Sequence, residues 1–240
     1  MKLNNKRTIL VGLAFLSICA FWQMYDSIVP LILTKTFHMN ETFSGAIMAA
    51  DNILALFLLP FFGSVSDKSH SKLGKRMPFI LFGTGCAIIL MNILPLLDNS
   101  YAAQPSGFKT ASFVIVLGLL LVAMGTYRAP AVALMPDVTP KPLRSRANAI
   151  INLMGAVGGI LYLGVAAVLY PNSKTAGLDH VNYQPLFIVV SAIMFVAVAV
   201  LFLTIREPKL TAENQALEKQ HPEWNLAQDD GLSLIHISEP

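Results

Sequence analysis

Three charged side chains stand inside stretches that are otherwise apolar: Asp26, Asp51 and Arg128. A charge at the middle of a bilayer costs about 2.5 to 3.5 kcal/mol on insertion scales, so each needs a use. Two acids at one depth in adjacent helices can share a proton or hold a cation, because like charges at close range do not easily both ionise. Asn52 adds an amide next to Asp51. Around Asp26, a helix puts Trp22 and Gln23 one turn before and Pro30 one turn after on a single face. An indole, an amide and a carboxylate together suit a sugar, whose ring face stacks on aromatics while its hydroxyls need fixed partners. That face is expected to line a substrate cavity. Plainer readings stay open: Trp22 as a packing anchor, and Asp26 or Asp51 as a protonated structural acid. Arg128 either meets substrate hydroxyls or an acid across the cavity, or snorkels to an interface.

Such residues need elements to hold them. The chain has 240 residues, of which 55% are hydrophobic and 13% charged, and its mean hydropathy is +0.60. A soluble domain carries about 25% charged residues, so lipid is the expected solvent. A bilayer core needs roughly 20 apolar residues of helix. Six runs qualify: Ile9 to Leu33, Phe43 to Phe62, Phe79 to Leu97, Ala111 to Met135, Ala147 to Tyr170 and Pro185 to Ile205. None alternates as a barrel strand would, so the fold class is an all-α membrane protein of six transmembrane helices. The first run is too long for a secretory signal and reads as a retained span. At 1.5 Å per residue, Asp26 lies roughly 10 Å and Asp51 roughly 12 Å below one surface, with Arg128 about 24 Å from it.

Charge sets the orientation. Of 17 lysines and arginines, Lys35, Lys109 and Lys174 fall on one side and Arg128 within a span. The other thirteen share the side of both termini, which is therefore expected to be cytoplasmic, in a multi-pass protein of the plasma membrane. The net charge of +3 is then a topology signal, and no nucleic-acid partner is implied. Cys19 and Cys86 fall inside apolar runs without disulfide or metal spacing and read as small buried hydrophobes.

The six spans divide into two triplets, each with a charged break on the expected cytoplasmic side, over 63–77 and 136–146. Two inverted three-helix repeats are the unit from which halves of large transporters are made. In MGAVGG, Gly155 and Gly159 form a small-xxx-small pair with Gly158 between them, and Asn152 stands one turn earlier. Residues 1–205 are expected to form the transmembrane domain and 206–228 a cytoplasmic linker with a short helix from Thr211 to Gln220. The remaining 229–240 read as a non-native or truncated tail. No ligand cluster, nucleophile with a base, or phosphate loop is evident. An enzyme is not expected, nor a cofactor or metal beyond a coupling proton or sodium ion.

The break GSVSDKSHSKLGKRMPFI, residues 63 to 80, resembles the loop between spans two and three of the major facilitator superfamily, in the longer form of its sugar-cation symporters. These include the glycoside-pentoside-hexuronide and sucrose-transporter-like groups. RSRANAIINLMGAVGGILY, residues 144 to 162, is similar to the fifth span of the sucrose-transporter-like proteins, and ALMPDV, residues 133 to 138, to the end of their fourth. Plant-type members carry an arginine where this chain has Val132, a turn beyond Arg128. The resemblance implies a cytoplasmic gate built from Gly63, Asp67, Gly74, Lys75 and Arg76, with Asp137, Arg144 and Arg146 as further members of its charge network. It also implies a proton- or cation-coupled sugar symporter working by alternating access, of which this chain is the amino-terminal half. The expected partners are a small-molecule substrate, lipid and a missing carboxy-terminal six-span half. A self-pairing half-transporter and a carrier or exporter of a non-sugar molecule remain as alternatives.

Overall fold

The computed structural model describes residues 3–175, 177, 178 and 180–224, with Asn172 described in its backbone only. The expected tail over 229–240 lies outside the described residues. Helix α1 (Asn5–Leu31) continues past Pro30 into a wider π turn (Ile32–Thr36). It is followed by α2 (Glu41–Asp67), α3 (Met77–Ala103) and α4 (Gly107–Asp137). A 3-10 turn (Lys141–Leu143) leads into α5 (Arg144–Leu169), and then come the one-turn α6 (Asn172–Thr175), α7 (Gln184–Thr204) and α8 (Glu207–Gln220). Six of these, α1 to α5 and α7, are long and apolar enough to cross a membrane. No strand occurs among the described residues.

Most of these helices outrun the apolar stretches that announce them, because the hydrocarbon ends before the helical hydrogen bonding does. Caps mark the true starts: the Asn4 and Asn40 side chains accept from the backbone N–H of Arg7 and Thr42 at 3.1 and 3.0 Å. Proline stands in the first turn of α3, α7 and α8, where its missing N–H costs nothing. Helix α8 begins four residues ahead of the expected Thr211, and the reason lies in its first residue, Glu207, whose carboxylate is docked against α3.

Packing repeats itself. Helix α1 packs on α5 and α7, while α4 packs on α2 and α3, and α3 meets α7. Exchanging α1 with α4, α2 with α5 and α3 with α7 maps this set of pairs onto itself, as two inverted three-helix repeats require. Across α1 and α5 the approach is close: a Cβ at Gly158 would stand 2.0 Å from the Leu16 carbonyl oxygen, and one at Gly155 2.8 Å from Cys19 Sγ. Gly159, expected to pair with Gly155, makes no such close approach: a Cβ there would lie 3.8 Å from its nearest neighbour, Gln23 Oε1. In the mirrored interface of α3 and α4, a Cβ at Gly83 would lie 2.7 Å from the Tyr127 nitrogen. Tyr127 itself is fully buried between α4 and α1, where its hydroxyl donates to the Ala14 carbonyl at 3.0 Å and lies 2.5 Å from Ser17 Oγ.

Candidate functional site

With Tyr127 locked into the core, Arg128 must project from a different face of α4. It enters a cavity of about 500 Å³ formed by α1, α2, α4 and α5. Its lining includes Cys19, Trp22, Asp26, Asp51, Asn52, Arg128, Val132 and Asn152. Six of the seven residues expected on the substrate pathway are thus brought together. The seventh, Gln23, is outside the lining and faces the glycine strip of α5. The 100° turn per residue separates it from Trp22 enough to leave it behind.

The Arg128 guanidinium carbon stands 5.6 Å from the centroid of the Trp22 ring, a cation–π contact. Asp26 and Asp51 lie close enough for their charges to interact, and Asp51 also feels Arg128. Two acids and one base therefore line a single cavity, and Asp51 is the acid that feels the base. Trp22 Nε1, the Tyr25 hydroxyl and Asp51 Oδ1 are buried without hydrogen-bond partners among the described residues. Such orphaned donors and acceptors are costly unless a ligand or water meets them. Tyr25, whose hydroxyl feels both acids, escaped the sequence reading because a tyrosine in an apolar run carries no distinguishing signal. Cys19 borders the same cavity and is only half-buried, a more accessible place than its apolar context implied.

A second constellation closes the basic end of the bundle, and Arg76 is its centre. Ahead of α3 and 7% exposed in its side chain, it pairs with Asp67 at the end of α2 and, through Nε at 2.8 Å, with Asp137 at the end of α4. Its Nη1 donates to Ser66 Oγ at 2.5 Å and to the Gly63 carbonyl at 3.3 Å. Burial opposes the Arg76 charge, but the carboxylates of Asp137 and Asp67 overcome that cost and hold its pKa above the ordinary arginine value. One guanidinium fork thereby ties three helix ends together.

Glu207 completes the arrangement. Its carboxylate accepts from the backbone N–H groups of Lys75 at 2.6 Å, Arg76 at 2.9 Å and Met77 at 2.8 Å, at the amino terminus of α3. An anion is well placed there, since the orphan N–H groups and the helix dipole both favour it. Gly74 makes the seat: its φ is +112°, and a Cβ would lie 2.4 Å from Glu207 Oε2. The Lys75 side chain stays exposed, so it is the backbone of that residue that takes part. Arg144 Nη2 meets Glu218 Oε1 of α8 at 3.0 Å, while Arg146 is exposed. Glu207 and Glu218 were not among the expected site residues. The only sequence signal for Glu207 was its place before Pro208 immediately after the last span.

The family model described as Major Facilitator Superfamily matches residues 11–235. The chain is 35% identical over 158 residues to sucrose transport protein SUC3 of Arabidopsis thaliana, covering 61% of this chain and 26% of that protein. It is 36% identical over 154 residues to sucrose transport protein SUT3 of Oryza sativa subsp. indica, covering 58% of this chain and 30% of that protein. It is 25% identical over 186 residues to solute carrier family 45 member 3 of Homo sapiens, covering 76% of this chain and 34% of that protein. The chain thus spans about a third or less of the length of these relatives.

Proposed function

Because the chain belongs to the Major Facilitator Superfamily, we propose that it forms the amino-terminal half of a secondary transporter that couples a sugar to a proton or another cation by alternating access. The observation that carries this reading is the convergence of Trp22, Arg128, Asn52, Asn152 and two carboxylates on one cavity. A sugar stacks its carbon face on the indole and offers its hydroxyls to the acids, amides and guanidinium. The names of the sucrose transport proteins among its relatives favour the same substrate class. Coupling follows from Asp26 and Asp51. When both are charged, one basic group must serve two anions, and a proton or cation relieves the repulsion. The charge asymmetry favours a cytoplasmic basic end, and in this reading Arg76 with its carboxylates forms the gate there. The lipid is that of the plasma membrane, and the second wall of the cavity comes from a carboxy-terminal six-span half.

The test uses the full-length protein in proteoliposomes under an imposed pH gradient. Asp26→Asn and Asp51→Asn each remove a titratable acid, so gradient-driven sugar accumulation falls about tenfold or more in at least one of them, the equivalent of about 1.4 kcal/mol. The variant that loses coupling should retain exchange of sugar across the membrane at equal pH. If both variants keep the wild-type pH dependence, the coupling assignment is wrong.

A further inference from the structure

At the end of the bundle opposite Arg76, Asp98 of α3 is completely buried, and neither of its carboxyl oxygens has a hydrogen-bond partner among the described residues. His180, on the segment leading to α7, places Nδ1 3.9 Å from Asp98 Oδ2. The tautomer of His180 is dictated by a chain of partners. The Gln184 backbone N–H donates to Asn182 Oδ1 at 3.0 Å, which fixes that atom as an acceptor. Asn99 Nδ2 donates to the same oxygen at 2.9 Å, leaving Asn99 Oδ1 to accept from His180 Nε2 at 3.0 Å. The Nε2 proton is therefore committed, and Nδ1 of a neutral ring is a lone pair. Thr36, closing α1, meets that lone pair through its hydroxyl at 3.1 Å. It sits beside Asp98 too, but its hydrogen-bonding geometry is satisfied by His180 and not by the carboxyl.

An ionised Asp98 would thus be buried facing a lone pair and an occupied hydroxyl, a costly arrangement for a carboxylate. A charged pair would need the Asp98 carboxylate fully desolvated at a separation from His180 too long for a hydrogen bond. The geometry points to a proton-binding site formed by Asp98 and His180, with one proton held on the Asp98 carboxyl, that fastens the segment before α7 to α3 and to the end of α1. The proton comes from the aqueous phase at the sparsely charged end and returns to it. Among the described residues, His180 and Tyr183 are the ionisable groups whose charges reach Asp98. Thr36 ends the π turn after α1, and Phe37 follows it with its ring 4.8 Å from that of Phe113 of α4; none of these three side chains is charged. As pH rises the carboxyl deprotonates, the anion draws in water, and the fastening loosens. The site is separate from the cavity acids and does not depend on their role.

Difference infrared spectroscopy of the full-length protein in proteoliposomes, taken between acid and alkaline pH, reads this site directly. The wild type should lose the carbonyl stretch of a protonated carboxylic acid on alkalinisation. Asp98→Asn, which is nearly isosteric, should remove that band, and His180→Gln should shift its midpoint. A protein carrying both Asp26→Asn and Asp51→Asn should keep it, which separates this site from the proposed coupling acids. A band that survives Asp98→Asn overturns the assignment. So does a wild-type spectrum with no carbonyl change beyond that removed by the two cavity substitutions.

Discussion

Tyr127 and Arg128 are neighbours in sequence and yet serve opposite ends, one fully buried against α1 and the other projecting into the cavity. Their division of labour shows why charges were legible and glycines only partly so. A charge in an apolar run is expensive, so Asp26, Asp51 and Arg128 stood out before any fold was known. Glycine spacing says that a helix can come close, but not which glycine meets the neighbour. At Gly158 the close partner is the Leu16 backbone, which cannot move aside as a flexible side chain could. Gly158→Ala should therefore destabilise the protein by about 1 to 3 kcal/mol or more, as overpacking does. Gly159→Ala, with nothing nearer than 3.8 Å, should leave the melting temperature of the detergent-solubilised full-length protein almost unchanged. Equal melting shifts in the two variants would contradict the observed register of α1 on α5.

At the scale of elements, the six spans were readable because hydrocarbon thickness imposes a minimum apolar length that few other structures need. Helix α8 was only half readable, since its amino terminus is set by a tertiary contact and not by its own polar sequence. It acts as a brace across the basic end: Glu207 holds α3, Asn214 donates to the Asp137 carbonyl of α4 at 3.1 Å, and Glu218 meets Arg144 of α5. Glu207 is 2% exposed, so removing its carboxylate leaves three backbone donors at the start of α3 unpaired. Loss of a comparable helix cap costs about 0.5 to 2 kcal/mol. Glu207→Ala should accordingly speed amide hydrogen exchange in α8 about tenfold, at about 1.4 kcal/mol per decade, and Glu207→Gln should do so less. Protection in the alanine variant equal to wild type would mean that α8 is held by its other contacts alone.

For the whole molecule, the decisive feature is an arc of helices, α2 on α4 and α5 on α1, with the cavity along its inner side. Helices α2 and α5, at the ends of the arc, make no extensive contact with each other and both leave large apolar side chains uncovered, among them Leu56 and Phe57 on one and Leu153 and Ile160 on the other. Under the proposed transport cycle, access to the cavity is governed by what closes over it and by the ties at its basic end. Arg76 joins α2, α3 and α4 there through Asp67 and Asp137, and Asp67 is the partner nearest solvent, with its side chain 60% exposed. Asp67→Asn removes one of the two anions while Asp137 and Ser66 continue to hold the guanidinium. The variant should therefore fold and still bind substrate, but favour the arrangement open at the basic end. Asn152 lines the cavity, so Asn152→Cys, in a protein with Cys19 and Cys86 replaced by serine, reports access to it. In sealed vesicles of the full-length protein, Asp67→Asn should raise labelling of that cysteine by a membrane-impermeant maleimide from the basic side and lower it from the other. The proposed sugar substrate should protect the thiol from both sides. If labelling from the two sides keeps its wild-type ratio, the cluster around Arg76 serves to hold the helix ends and does not gate the cavity.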